Sequence, residues 1–214
     1  MLLAFALGLA HSLEPDHVVA VSAIVARCRS ALQSTLTGAY WGLGHASTII
    51  ISTVVLVFLK LSLQPRFLAL FETAVGVLLV ALGVRLSFTL ATTKTDGSST
   101  HSHGHSHQFS IRNEKEKPLS SLLVGCLHGL AGSGGVLALL FSGTTTLSAS
   151  LWSSVFFGLG NTLAMAVAGL FLGITLHYYR SGRFRHIEFG AKLAIALASV
   201  GLGCYKVIET QLFI

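Results

Sequence analysis

Apolar residues gather in six long runs, Leu2–Ala26, Thr35–Leu59, Phe67–Ala91, Leu119–Phe141, Leu151–Leu176 and Phe189–Ile208. A helix that crosses the hydrocarbon core of a bilayer needs about 20 mostly apolar residues, so each run predicts one membrane-spanning helix. The first run opens like the core of a signal peptide. However, no Lys or Arg precedes it and its apolar character continues to Ala26, so it reads as the first span. Connections between runs are short except for Thr92–Pro118, a polar, low-complexity stretch that predicts a mobile loop.

Composition agrees with this pattern. The 214 residues are 52% hydrophobic and 10% charged, against about 25% charged in soluble domains, and the mean hydropathy is +0.74. A soluble enzyme, a disordered chain and a disulfide-stapled module are all disfavoured. Cys28, Cys126 and Cys204 are far apart and form no CxxC, so they predict neither a disulfide framework nor a zinc ribbon. The formal charge of +6 would suit a nucleic-acid binder. Its cations lie between apolar runs and form no continuous stripe, so no nucleic-acid partner is expected.

The cations instead predict orientation. Arg27, Arg29, Arg85, Lys94, Arg112, Lys115, Lys117, Arg180, Arg183, Arg185 and Lys192, 11 of the 14, fall on one face of a six-span layout. The other face has only Lys60, Arg66 and Lys206. By the positive-inside rule the long loop is cytoplasmic and both termini face outward. The segment Tyr178–His186 reads as an interfacial belt of aromatics and cations that also takes in His177.

The halves resemble each other. Gly8-Leu-Ala-His11 in span 1 matches Gly125-Cys-Leu-His128 in span 4, and Gly42-Leu-Gly44-His45 in span 2 matches Gly158-Leu-Gly160-Asn161 in span 5. The two offsets are 117 (Gly8 to Gly125) and 116 (Gly42 to Gly158), and Glu72 and Glu188 are again 116 apart. Three spans per repeat is an odd number, so the second repeat must be inverted, a transporter architecture with its site at the repeat interface. The expected fold is therefore an all-α membrane protein of six transmembrane helices arranged as two inverted three-helix repeats. Residues 1–91 form the first repeat, 92–118 a histidine-rich cytoplasmic loop, and 119–214 the second repeat. Gly38/Gly42, Gly125/Gly129 and Gly169/Gly173 are GxxxG pairs that predict close helix approach. Gly132, Gly134 and Gly135 either open the helix after His128 or let another helix come near.

Candidate chemistry concentrates in span 1, where His11-Ser-Leu-Glu14-Pro15-Asp16-His17 places two histidines and two acids inside an apolar run. A charged group at a helix centre costs about 2.5–3.5 kcal/mol on insertion scales, so such residues point to function. Imidazole and carboxylate together suit nickel, cobalt, zinc or copper. On a straight helix His11 and Asp16 would lie about 140° apart. Pro15 cannot donate to the carbonyl of residue 11 and is expected to kink or open that turn, letting His11, Asp16 and His17 converge. His45 and His128 are the other intramembrane histidines, with Asn161 and Ser133 at the positions symmetric to His45 and Asp16. His101, His103, His105 and His107 in the long loop could capture a metal transiently, outside the membrane.

His11-x4-Asp16-His17 resembles the H-x4-D-H signature of the nickel/cobalt transporter family, which includes nickel/cobalt efflux and urease-accessory membrane proteins. Gly44-His45-Ala-Ser-Thr48 is similar to that family's second histidine motif, and the histidine-rich loop is similar to one in the efflux branch. The resemblance implies transport of Ni2+ or Co2+ as cargo, with no cofactor, at His11, Asp16, His17, His45 and His128. Two features depart from the family: larger uptake members have eight spans, and Glu14-Pro15 replaces small residues within the signature. The expected partners are the metal ion and the lipid bilayer, and a homo-oligomer is compatible with the layout. Other classes fit less well. No HExxH occurs for a metalloprotease, and Ala131-Gly-Ser133-Gly misses the rhomboid GxSG by one residue. A thiol-electron conveyor would need paired membrane cysteines, and an amino-acid exporter would not need the histidine cluster.

Overall fold

The computed structural model describes residues 1–59, 65–95, 118–142, 146–179 and 184–212, with side chains of α5 described as far as Leu130. Among them are seven helices: α1 (Leu2–His11), α2 (Pro15–Val25), α3 (Ala31–Leu59), α4 (Pro65–Thr95), α5 (Pro118–Ser142), α6 (Leu147–Tyr179) and α7 (Arg185–Leu212). The histidine-rich segment 101–107 and the side chain of Ser133 lie outside the described residues.

Span 1 is two helices rather than one. Pro15 has no N–H to give the carbonyl of His11, so the amide of Glu14 takes that carbonyl at 3.0 Å in a tighter turn. Glu14 then turns to φ −59°, ψ 141°, the extended backbone that a residue before proline favours. Pro15 restarts the chain as the first residue of α2, where a missing N–H costs nothing. Through α5, by contrast, the chain stays helical to Ser142. Gly132, Gly134 and Gly135 therefore do not open it.

Four stretches are long and apolar enough to cross a bilayer on their own: Ala31–Leu56, Arg66–Thr92, Leu147–Tyr179 and His186–Gln211. Leu2–His11, Pro15–Val25 and Pro118–Leu130 are shorter apolar helices. Polarity is distributed inside out. Phe58, Phe88, Phe171 and Leu2 are exposed, while Ser12, Thr37, Thr53, Ser121, Ser154 and Ser199 are buried. The arrangement suits a lipid exterior, where packing and interhelical hydrogen bonds hold helices together. Ser121 donates to the carbonyl of Thr37 at 2.6 Å and Ser199 to that of Leu79 at 2.7 Å. The protein is an all-α, multi-pass integral membrane protein.

α3 packs along both α6 and α5, α1 lies on α6, α4 pairs with α7, and α2 reaches α3, α4, α6 and α7. Glycine sets how closely these helices approach. A Cβ on Gly125 would strike the Trp41 carbonyl, and one on Gly8 the Phe157 carbonyl. In the same way Gly44 meets Leu122 where Gly160 meets Phe5, and Gly42 meets Thr162 where Gly158 meets Ala46. All three GxxxG pairs lie at such crossings: Gly38/Gly42 on α6, Gly125/Gly129 on Trp41 and His45 of α3, and Gly169/Gly173 on the start of α3.

Candidate metal centre

The break in span 1 places four of the polar side chains where one helix could not. His11 closes α1, Asp16 and His17 open α2, and the glycine crossings bring His45 of α3 and His128 of α5 against them. His17, His45 and His128 have no solvent exposure, and His11 and Asp16 are buried. The His17 ring is central, with its centroid 4.3 Å from that of His11, 4.5 Å from His128 and 5.1 Å from His45.

Two sets of donor atoms could each hold an ion: His11, His17 and His45 in one, and Asp16, His17 and His128 in the other, all within 4.8 Å of one another in each set. A metal–nitrogen bond is about 2.0–2.1 Å long, which puts donors on one ion roughly 3–4 Å apart. Small side-chain movements therefore suffice for either set. All five residues expected to ligate thus enter one cluster, although His11 and Asp16 fall in different sets that share His17.

Carboxylates orient two of the rings. His11 Nδ1 lies 2.7 Å from Glu14 Oε1, and His17 Nδ1 lies 2.8 Å from Asp16 Oδ1. A carboxylate on Nδ1 fixes that nitrogen as the protonated one and leaves Nε2 with its lone pair free, the usual support for a ligating histidine. His11 Nε2 and His17 Nε2 have no hydrogen-bond partner among the described residues, nor do either of the ring nitrogens of His45 and His128. Asp16 Oδ1 also accepts from the amide of His17 at 2.9 Å, which leaves Oδ2 turned toward His128 Nε2 at 3.6 Å.

Three participants were not foreseen. Trp41 stacks on His45 with centroids 5.3 Å apart and planes 16° apart, and approaches His17 and His128 at 5.3 and 5.2 Å. Its position four residues before His45, hence on the same helix face, was the available signal. Lys206 of α7 was expected among the outer-face cations; its ammonium instead lies 3.0 Å from Asp16 Oδ2. Ser12 Oγ lies 2.7 Å from Asn161 Oδ1. Asn161 is thus tied to the broken turn. His177 and His186 are exposed and belong to neither donor set.

Fold and site together define a membrane protein with a buried imidazole–carboxylate cluster whose donor atoms could hold a metal ion. The chain is 35% identical over 173 residues to the urease accessory protein UreH of Bacillus sp. (strain TB-90), a match covering 80% of this chain and 75% of that protein. It is 31% identical over 84 residues to a high-affinity nickel transport protein of Cupriavidus necator, covering 38% of this chain and 24% of that longer protein. No family model and no solved structure matches it. The chain belongs to the nickel/cobalt transporter family.

Proposed function

We propose that the chain carries a divalent transition metal, nickel or cobalt, across the membrane, binding it as cargo through His11, His17, His45, Asp16 and His128. The observation that carries this reading is the set of ring nitrogens on four buried histidines that have no hydrogen-bond partner among the described residues. A buried polar atom left unsatisfied costs about 1–3 kcal/mol, so an inert core would hold leucine at these places. Bound metal would engage these lone pairs at once. The similarity to a nickel transport protein favours nickel among the ions this donor set suits.

Alternating access between two inverted three-helix repeats, 1–91 and 119–214, joined by a cytoplasmic loop over 92–118, gives this site a way to open to either side. The paired glycine crossings support such a repeat: Gly8 on Phe157 mirrors Gly125 on Trp41, and Gly42 on Thr162 mirrors Gly158 on Ala46, with partners again about 116 residues apart. Six spans follow if α1 and α2 cross as one broken element, and the loop cations favour both termini facing outward. In this reading the protein is a carrier rather than an enzyme.

Radiometal flux in proteoliposomes tests it, with nickel, cobalt, zinc and manganese compared in both directions. His11→Ala, Asp16→Asn and His17→Ala should each abolish nickel or cobalt flux. If all three leave it unchanged, the site is elsewhere and the proposal fails.

A further inference from the structure

Asp16 stands at the meeting point of the cluster, and its two oxygens are already used differently. Oδ1 accepts from the amide of His17 at 2.9 Å and lies 2.8 Å from His17 Nδ1, so it is committed to holding that ring. Oδ2 is the oxygen left to a metal, and it faces His128 Nε2 at 3.6 Å. Lys206 Nζ sits on this same oxygen at 3.0 Å. A dication held by Asp16, His17 and His128 would compete with the ammonium for the charge of this carboxylate and would lie within a few ångströms of another positive charge. In a site shielded from water, like charges at that separation repel strongly. The Lys206–Asp16 contact and a metal on Asp16 Oδ2 therefore exclude each other.

Lys206 also has somewhere to go. Its side chain is 27% exposed whereas that of Asp16 is 9% exposed, and four methylenes let an ammonium swing to the wetter side while the stem stays on apolar surface. The pair joins the two halves and has no symmetric counterpart, because the positions symmetric to Asp16 and Lys206 hold Ser133 and Leu90.

Building on the proposed transport function, we propose that Lys206 is a built-in stand-in for the metal: it neutralises Asp16 while the site is empty and gives way when the ion binds. The empty carrier is then never left with an unpaired buried carboxylate, which would be costly inside the membrane. The bound ion meets a resident competitor, which weakens its hold and hastens its release.

Equilibrium dialysis of the full chain in lipid nanodiscs against radioactive nickel reads this directly. Lys206→Met keeps the stem and removes the charge; it should bind nickel at least about tenfold more tightly than the parent while nickel exchange in proteoliposomes slows. Lys206→Arg restores the charge and should bind about tenfold more weakly than Lys206→Met. An affinity for Lys206→Met within twofold of the parent, or weaker, overturns the inference and leaves the transport reading standing; a parent that binds no nickel overturns both. A second measurement needs no variant. Amine-directed labelling of the parent, read by peptide mass spectrometry, should show Lys206 modified severalfold faster with nickel than without. A rate that nickel leaves unchanged or lowers overturns the inference.

Discussion

Glu14 offers a test of the site that leaves the proposed ligands and the fold in place. Its carboxylate touches the metal cluster only through His11 Nδ1, at 2.7 Å, and its side chain is 52% exposed. Removing a carboxylate that supports a ligating histidine typically weakens metal binding about 10–100-fold. The low end applies here because water reaches Glu14 and can partly replace it. Glu14→Ala should therefore weaken nickel binding about tenfold, or about 1.4 kcal/mol. Glu14→Gln keeps an oxygen that can accept from Nδ1 and should recover most of that loss. Because Glu14 is half exposed and gives α2 no side-chain cap, thermal unfolding should shift little, within about 0.5 kcal/mol. Nickel titration in nanodiscs with a parallel melting curve measures both quantities. An affinity unchanged in Glu14→Ala, with the protein folded, would refute the claim that this carboxylate fixes the tautomer and aim of His11.

His17 belongs to both donor sets, so His17→Ala should lose nickel binding more completely than His11→Ala or His128→Ala; equal losses in dialysis would argue against a shared ligand. Trp41 lies within 5.3 Å of three of the imidazoles, whereas Trp152 is exposed. In a Trp152→Phe background, Trp41 emission should change on saturation with nickel and stay constant with magnesium, which prefers oxygen ligands. A Cβ on Gly125 would strike the backbone of Trp41, while one on Gly201 meets nothing within 4 Å. Gly125→Ala should cost about 1–3 kcal/mol and loosen His128 from His45. Gly201→Ala should be neutral or stabilising by up to about 1 kcal/mol, and a melting experiment compares the two.

The features legible in the sequence were those whose cause is local. Pro15 acts on a carbonyl four residues away, so the opening between α1 and α2 could be derived from covalent structure alone. Intramembrane histidines stand out because an apolar background makes each one costly, and that scarcity flagged His11, His17, His45 and His128 together. What escaped depended on distant contacts. Lys206 is 190 residues from Asp16 in sequence, and from its neighbours it read as one more loop-flanking cation. Nothing next to Trp41 in sequence shows that His17 of α2 and His128 of α5 meet its ring. The division of labour between the acids was equally hidden: composition cannot say that Glu14 supports His11 from the exposed side while Asp16 supports His17 and also faces His128.

The asymmetry between the halves gives the cluster its character. Similar glycines set similar crossings in both halves of the chain, so these crossings alone do not distinguish one half from the other. Among the described helices the proline break falls in the first half, where His11 precedes it and Asp16 and His17 follow it. The second half contributes His128 as a ligand candidate, while its Asn161 is bonded to Ser12 of the broken turn. The first half of the chain thus holds most of the candidate donors, and the second adds His128 opposite them. If the two halves rock against each other as in the proposed alternating access, the separation of His128 from Asp16 and His17 changes while Asp16 and His17 stay fixed to each other on α2. Binding strength would then follow the conformational state through a single imidazole.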